Sequence, residues 1–256
     1  MRSRSDISND LKEDAKKLEE VISEGNPAEI EKVVQLVHER LDKLNLKFDA
    51  PDEYDYRKLH KQTEKCVSAL LKGQVVAFPT ETVMGLGVIY NNRQAYDLLN
   101  QIKCRPEDKP YTMMVSDIKE ISKYAFVDEK IQKVIDEFMP GSLTILLKSK
   151  DNVPDYVTHK SGVIGIRIPT NIEALELLKR IKLPLLVPSA NKSGEKPALN
   201  SDEVRSVFKG ELGAIIDGES KGEIPSTIID FSKNTPVLLR KGPISFEKVL
   251  EVYERN

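Results

Sequence analysis

The sequence predicts a mixed α/β chain: a twisted sheet of parallel and antiparallel strands with surrounding helices, preceded by a helical hairpin. Three observations carry this. From residue 56 onward, short apolar and β-branched runs alternate with amphipathic helical stretches. Some strand runs, 143–147 and 163–168 among them, follow one another without a helix, which argues against a purely parallel, doubly wound sheet. The first 50 residues carry helical periodicity and no strand pattern.

In chain order, Leu11, Ala15, Leu18 and Ile22 recur at helical spacing, and Gly25 ends that helix. Asn26-Pro27-Ala28-Glu29 is a helix start: a side-chain cap, proline at the first helical position and an acid three residues after the cap. The second helix places Ile30, Val33, Val34, Val37, Leu41 and Leu44 on one face. Residues 46–55 are polar, contain Pro51 and read as a linker. The predicted division is therefore 1–50, hairpin and linker, and 51–256, the main body. Strands are predicted at 74–78, 111–115, 143–147, 163–168, 185–187, 214–216, 227–229 and 237–239. Helices are predicted at 56–71, 93–102, 130–138, 171–181, 202–208 and 245–253. The two hairpin stripes suit either packing on the body or docking to a partner or a second copy.

Composition narrows the function classes. The chain has 256 residues, 39 Lys and Arg against 41 Asp and Glu, and a formal net charge of −2. A generally basic nucleic-acid binder is excluded, while a local basic cleft is not. No apolar run reaches the length of a membrane span, and the charged N-terminus lacks the apolar core of a signal peptide. Two cysteines, Cys66 and Cys104, and three scattered histidines give neither a disulfide framework nor a four-ligand zinc site. A cytoplasmic protein without a structural metal is expected.

The familiar nucleotide and nucleophile motifs are absent. There is no phosphate-binding Gly-x-x-x-x-Gly-Lys-Ser/Thr run, Gly85-Leu86-Gly87 lacks the third glycine of the dinucleotide fingerprint, and there is no Gly-x-Ser-x-Gly elbow. No histidine stands in a candidate motif. The remaining polar loops are made of Thr, Ser, Asn, Lys and Arg, residues that bind anions and orient substrates. The first, Pro79 to Gly87, follows a strand and combines hydroxyls with two glycines that allow close approach. The second, Lys103 to Pro110, puts three cations between and beside two prolines; it reads either as an anion clamp or as charge complementing a helix C-terminus. The third, Pro188 to Gly194, follows an apolar strand and has turn composition. The fourth comprises Ser226-Thr227, opening a strand, and Arg240-Lys241-Gly242-Pro243, closing one.

Taken together, the order Pro-Thr-Glu-Thr-Val-x-Gly-Leu, Lys-x-Arg, Gly-Ile-Arg-Ile-Pro (165–169), Ser-x-Asn, Pro-Ser-Thr-Ile-Ile-Asp (225–230) and Leu-Arg-Lys-Gly (239–242) resembles the YrdC/Sua5 family of threonylcarbamoyl-AMP synthases. The resemblance covers about residues 60–250, leaves the hairpin unmatched and leaves no room for the extra C-terminal domain of the longer Sua5 type. It implies a YrdC-like fold with a basic cleft. It also implies a nucleotidyltransferase, an L-threonylcarbamoyladenylate synthase that condenses L-threonine, bicarbonate or CO2, and ATP, and releases pyrophosphate. The product would feed N6-threonylcarbamoyladenosine formation at position 37 of ANN-decoding tRNAs through separate transferase machinery, with weak tRNA contact and no membrane contact.

By motif, the resemblance assigns Thr82, Arg167, Ser189 and Ser226 to threonine, with Arg167 taking the carboxylate as a bidentate pair. It assigns Lys103, Arg105, Lys109, Asn191 and Arg240 to ATP, and gives Lys103 and Arg105 the catalytic role of stabilising charge on the transferring group. Mg2+ is expected with ATP rather than in a protein cage. Two positions depart from the family pattern: Met84 stands where tyrosine is usual, and Met114 lies near where several relatives carry histidine. The competing readings are an RNA-binding module of the same fold without synthase activity, a carbamoyl-transfer domain, which the lack of cysteine clusters disfavours, and an inactive scaffold, which the intact Lys103, Arg105, Ser189 and Asn191 disfavour.

Overall fold

In a computed structural model, the described residues are 16–17, 20–21, 32–33, 56–104, 110–222 and 224–255. The chain divides into two compact units, Met1–Lys61 and Gln62–Asn256. In the first unit Lys16, Lys17, Glu20, Val21, Lys32 and Val33 are helical; the two valines are buried and the charged side chains exposed. These positions fall on the two predicted hairpin helices, and the rest of the hairpin and the linker lie outside the described residues.

The second unit is organised by nine strands. They are β1 (Val76–Phe78), β2 (Gly85–Ile89), β3 (Thr112–Met114), β4 (Leu143–Lys148), β5 (Val163–Arg167), β6 (Leu185–Leu186), β7 (Ala214–Ile215), β8 (Thr227–Asp230) and β9 (Val237–Arg240). Their spatial order is β7-β1-β2-β6-β3-β5-β4-β8-β9. Three pairs are parallel (β1/β7, β3/β5, β4/β8) and five antiparallel, the mixed sheet that the sequence pattern predicts. The central strands are near-continuous apolar runs because both faces are covered: Val76, Phe78, Leu86, Val88, Leu143, Ile145 and Ile166 are fully buried.

Helices flank the sheet: α1 (Tyr56–Leu71), α2 (Arg93–Lys103), α3 (Ile118–Tyr124), α4 (Glu129–Phe138), α5 (Asp155–Thr158), α6 (Ile172–Ile181), α7 (Ser201–Phe208) and α8 (Phe246–Glu254). Their starts are encoded locally. Asn92, Asp117, Asp128, Asn171, Asn200 and Ser245 each accept a backbone N–H of the first turn and so satisfy one of the donors a helix start leaves open.

The sequence pattern misses three elements. β2 reads as loop because Gly85 and Gly87 dilute its strand propensity. Those glycines are there for packing: a Cβ on Gly85 would stand 2.8 Å from Val187 Cγ1, and one on Gly87 2.8 Å from Phe78 Cε1. α3 and α5 are seven and four residues long, too short to show a helical period.

Candidate active site

The first polar loop leaves β1 and turns on its own hydroxyls. Thr80 Oγ1 donates to the Val83 carbonyl (2.7 Å), accepts from the Thr82 N–H (3.2 Å) and lies 3.0 Å from Thr82 Oγ1. The Thr80 N–H donates to Ser220 Oγ. Both threonines are buried, so their hydroxyls are held in one orientation rather than solvated. Gly222 passes directly over this turn; a Cβ there would meet Thr82 O at 2.6 Å.

Arg167 ends β5, and its guanidinium reaches the same turn. Nη2 donates to Thr82 Oγ1 (3.1 Å) and to Glu81 Oε1, and Nε donates to the Gly141 carbonyl (3.3 Å). Glu81 Oε2 in turn accepts the Thr170 N–H. The fork formed by Nε and Nη2 is therefore occupied by protein groups, and Nη1 is the edge left to meet a ligand. A bidentate carboxylate grip by Arg167, which the resemblance implies, would therefore share the Nε and Nη2 edge with Gly141, Glu81 and Thr82.

Arg240, the last residue of β9, bends back over the start of β8. Its Nε donates to Ser226 O (2.9 Å) and its Nη2 to Ser226 Oγ (3.1 Å); that hydroxyl is 2.8 Å from Thr144 Oγ1. The close passage requires Gly242, where a Cβ would lie 2.6 Å from the Ser226 carbonyl carbon. Although Arg240 is exposed along much of its length, its pKa is lowered, first by desolvation of the guanidinium and then by the positive charge of Arg167. No described carboxylate forms an ion pair with Arg240. An anion entering between the two arginines would relieve their repulsion.

The Ser189–Asn191 loop is sewn to its surroundings by backbone bonds. Leu86 N donates to Pro188 O (2.9 Å), Ala190 N to Met84 O (2.7 Å) and Ala198 N to Ala190 O (2.9 Å). Within it, Ser189 Oγ donates to Asn191 Oδ1 (2.6 Å), and Asn191 Nδ2 donates to the carbonyls of Lys192 and Glu195. Lys103 closes α2 from beneath. It is 1% exposed, and its ammonium donates to Ser189 O (2.6 Å) and Asn191 O (2.7 Å).

Thr82, Arg167, Ser189, Ser226 and Arg240, drawn from segments more than 150 residues apart, line one cavity. Lys103 and Asn191 sit behind Ser189 and hold it. Arg105 and Lys109 lie outside the described residues. Met84 and Met114 form apolar wall, as do Val187 and Ile228. Sequence reading passed over three contributors. Thr80 and Glu81 stand inside the first motif and could have been found as neighbours of Thr82. Tyr111 lines the cavity with its hydroxyl donating to Asn100 Oδ1 (2.6 Å), and nothing in its local sequence marks it.

A donor set of hydroxyls and guanidiniums does not suit a resident Mg2+. Among the described residues no group of three or more His, Cys, Asp or Glu side chains could hold a metal ion, and no helix is long and apolar enough to cross a membrane. The arrangement can bind a small zwitterion or anion and shield it from water on apolar walls.

Residues 68–242 match the model of the Sua5, YciO and YrdC family, described as "Telomere recombination". The chain is 34% identical over 191 residues to the threonylcarbamoyl-AMP synthase of Bacillus subtilis, covering 73% of this chain and 55% of that protein. It superimposes on the crystal structure of Pyrococcus abyssi Sua5 complexed with L-threonine with a TM-score of 0.74 at 30% identity, covering 78% of this chain and 58% of that one. Against the crystal structure of Escherichia coli YciO the TM-score is 0.67 at 29% identity, covering 72% of this chain and 90% of that one. The chain thus spans little more than half the length of the Bacillus and Pyrococcus proteins.

Proposed function

We propose that this chain, which belongs to the Sua5, YciO and YrdC family, is an L-threonylcarbamoyladenylate synthase. The observation that carries the reading is the convergence of Thr82, Arg167, Ser189, Ser226 and Arg240 on one cavity whose cations outnumber its carboxylates. The names of its relatives support it.

Threonine sits in the cavity. Its carboxylate meets Arg167 Nη1, its polar groups meet the hydroxyls of Thr82, Ser189 and Ser226, and its methyl faces the Met84 and Met114 wall. ATP enters as its Mg2+ complex, a substrate, and its phosphates lie toward Arg240 and Asn191; Arg105 and Lys109 are assigned to the same phosphates by the family motif. Bicarbonate takes up a proton, the equivalent of the one the amine gives up in the next step, and loses water to leave CO2. The threonine amine attacks CO2, forms the carbamate C–N bond and gives up a proton. A carbamate oxygen then attacks the α-phosphorus in line, and the bond to pyrophosphate breaks.

No protein nucleophile is required. The residues contribute position and charge neutralisation, and the apolar walls keep water from a carbamate that decomposes in it. The adenylate serves N6-threonylcarbamoyladenosine formation on tRNA by a separate transferase.

Incubation with ATP, Mg2+, threonine and bicarbonate tests this by mass spectrometry. Threonylcarbamoyl-AMP and pyrophosphate are expected only when all are present. Tight RNA binding with no pyrophosphate release would favour an RNA-binding module of the same fold.

A further inference from the structure

The last turn of α2 has an unusual cap. A helix end leaves four carbonyls without intrahelical partners. Here the Cys104 N–H, in a left-handed conformation (φ 51°), serves Asn100 O and Gln101 O. The remaining two are served by the Ser189–Asn191 loop and its continuation: Lys192 Nζ donates to Ile102 O (2.7 Å) and the Ser193 N–H to Lys103 O (2.8 Å). The traffic also runs the other way, since Lys103 Nζ donates to Ser189 O and Asn191 O. Each segment thus sends one lysine into the backbone of the other.

Lys192 stands next to Asn191 in sequence, and its ammonium is already committed. Besides Ile102 O it meets both carboxylate oxygens of Glu211 at 3.0 Å and lies 5.1 Å from the centre of the Phe208 ring. Its three hydrogens are spent on protein acceptors, in a charge-assisted arrangement with a carbonyl at the negative end of a helix dipole.

We propose that Lys192 is a positioning residue for nucleotide binding: with Lys103 it forms a reciprocal clasp that makes the C-terminus of α2 and the Ser189–Asn191 loop one rigid body. The chain leaves α2 at Cys104 directly into the segment that carries Arg105 and Lys109. The last described turn before that segment is held by the Cys104 and Ser193 N–H groups and by Lys192, the one side chain among them. Lys192 acts on the α2 side of the clasp, whereas Arg167, Thr82 and Ser226 are held by their own bonds, and Ser189, the threonine-side residue of the loop, is held by Lys103 and Asn191 rather than by Lys192. The functional part of the inference rests on the synthase reading; the structural part does not.

Lys192→Met keeps the aliphatic stem on Phe208 and removes the donor. In the full-length chain, amide hydrogen exchange in peptides covering residues 97–104 should rise roughly tenfold, the factor expected from one charge-assisted hydrogen bond. The KM for ATP should rise by a similar factor, while that for threonine stays within about twofold. Lys192→Arg, which can reach the same acceptors, should restore both. Unchanged exchange in Lys192→Met, or equal damage to ATP and threonine, overturns the proposal. If Lys192→Met does not fold, Glu211→Gln is read by the same exchange, with a smaller rise expected and no rise overturning it. A wild-type chain that made no threonylcarbamoyl-AMP would remove the synthase reading, and the exchange comparison would still decide the clasp.

Discussion

Arg167 is oriented before any ligand arrives, because Glu81, Thr82 and Gly141 take up its Nε and Nη2. A lysine has no planar fork and cannot replace those contacts together. Arg167→Lys should therefore raise the KM for threonine at least tenfold while the circular dichroism spectrum stays native; an unchanged KM would remove Arg167 from the threonine site. Gly242 is constrained in a different way. A Cβ there would drive into the backbone at Ser226, so Gly242→Ala must displace Ser226 and the Arg240 contacts that depend on it. Activity should fall by roughly 100-fold, as when a positioned group loses its geometry, with a modest drop in melting temperature. Full activity would show that the Arg240–Ser226 contact is dispensable. In the proposed synthase Met84 and Met114, which line the cavity, would face the threonine methyl and limit discrimination over serine to about 10–200-fold, the worth of one methyl group. Equal kcat/KM for the two amino acids would contradict that placement.

At the scale of elements, α6 carries a buried carboxylate. Glu176 is 8% exposed, with Arg180 Nη2 at 3.6 Å, and burial pushes its pKa up from 4.5 to about 7 despite the cations of Arg180 and Lys179. The folded state therefore holds this proton more tightly than the unfolded chain. Stability should fall as pH rises from about 4.5 to 7 and level off above, by on the order of 3 kcal/mol. Glu176→Gln should flatten that slope and melt several degrees higher than wild type at pH 8, with little difference at pH 4.5; parallel melting curves at all pH values would refute the assignment.

The elements also show where the sequence was legible. Helices of eight residues or more and apolar strands were readable because their signals are local: the helical patterns over 171–181 and 245–253 announce α6 and α8, and 143–147 reads as a strand, while α3, capped by Asp117 but seven residues long, was not readable. β2 was not, because what makes it a strand is the fit of Phe78 and Val187 against two glycines, a non-local fact. In the site, ordered motifs pointed to Thr82, Arg167, Ser189, Ser226 and Arg240. The occupied fork of Arg167, the wall residue Tyr111 and the lysine clasp depend on distances between segments that no spacing encodes.

For the whole molecule, every described residue of the cavity lies in the unit Gln62–Asn256, and none in Met1–Lys61. A truncation beginning at Asp52 keeps α1 and should retain synthesis of threonylcarbamoyl-AMP. Light scattering on both forms would show whether the N-terminal unit serves association: a dimeric full-length chain and a monomeric truncation would place its apolar stripes between copies. A folded truncation without activity would show that the first unit completes the site. The synthase reading itself comes down to one reaction. Full-length protein, ATP, Mg2+, L-threonine and bicarbonate should yield threonylcarbamoyl-AMP by mass spectrometry, with pyrophosphate in equal amount and neither product when threonine or bicarbonate is withheld. Absence of the adenylate from the complete mixture, or pyrophosphate release that ignores threonine, would contradict it.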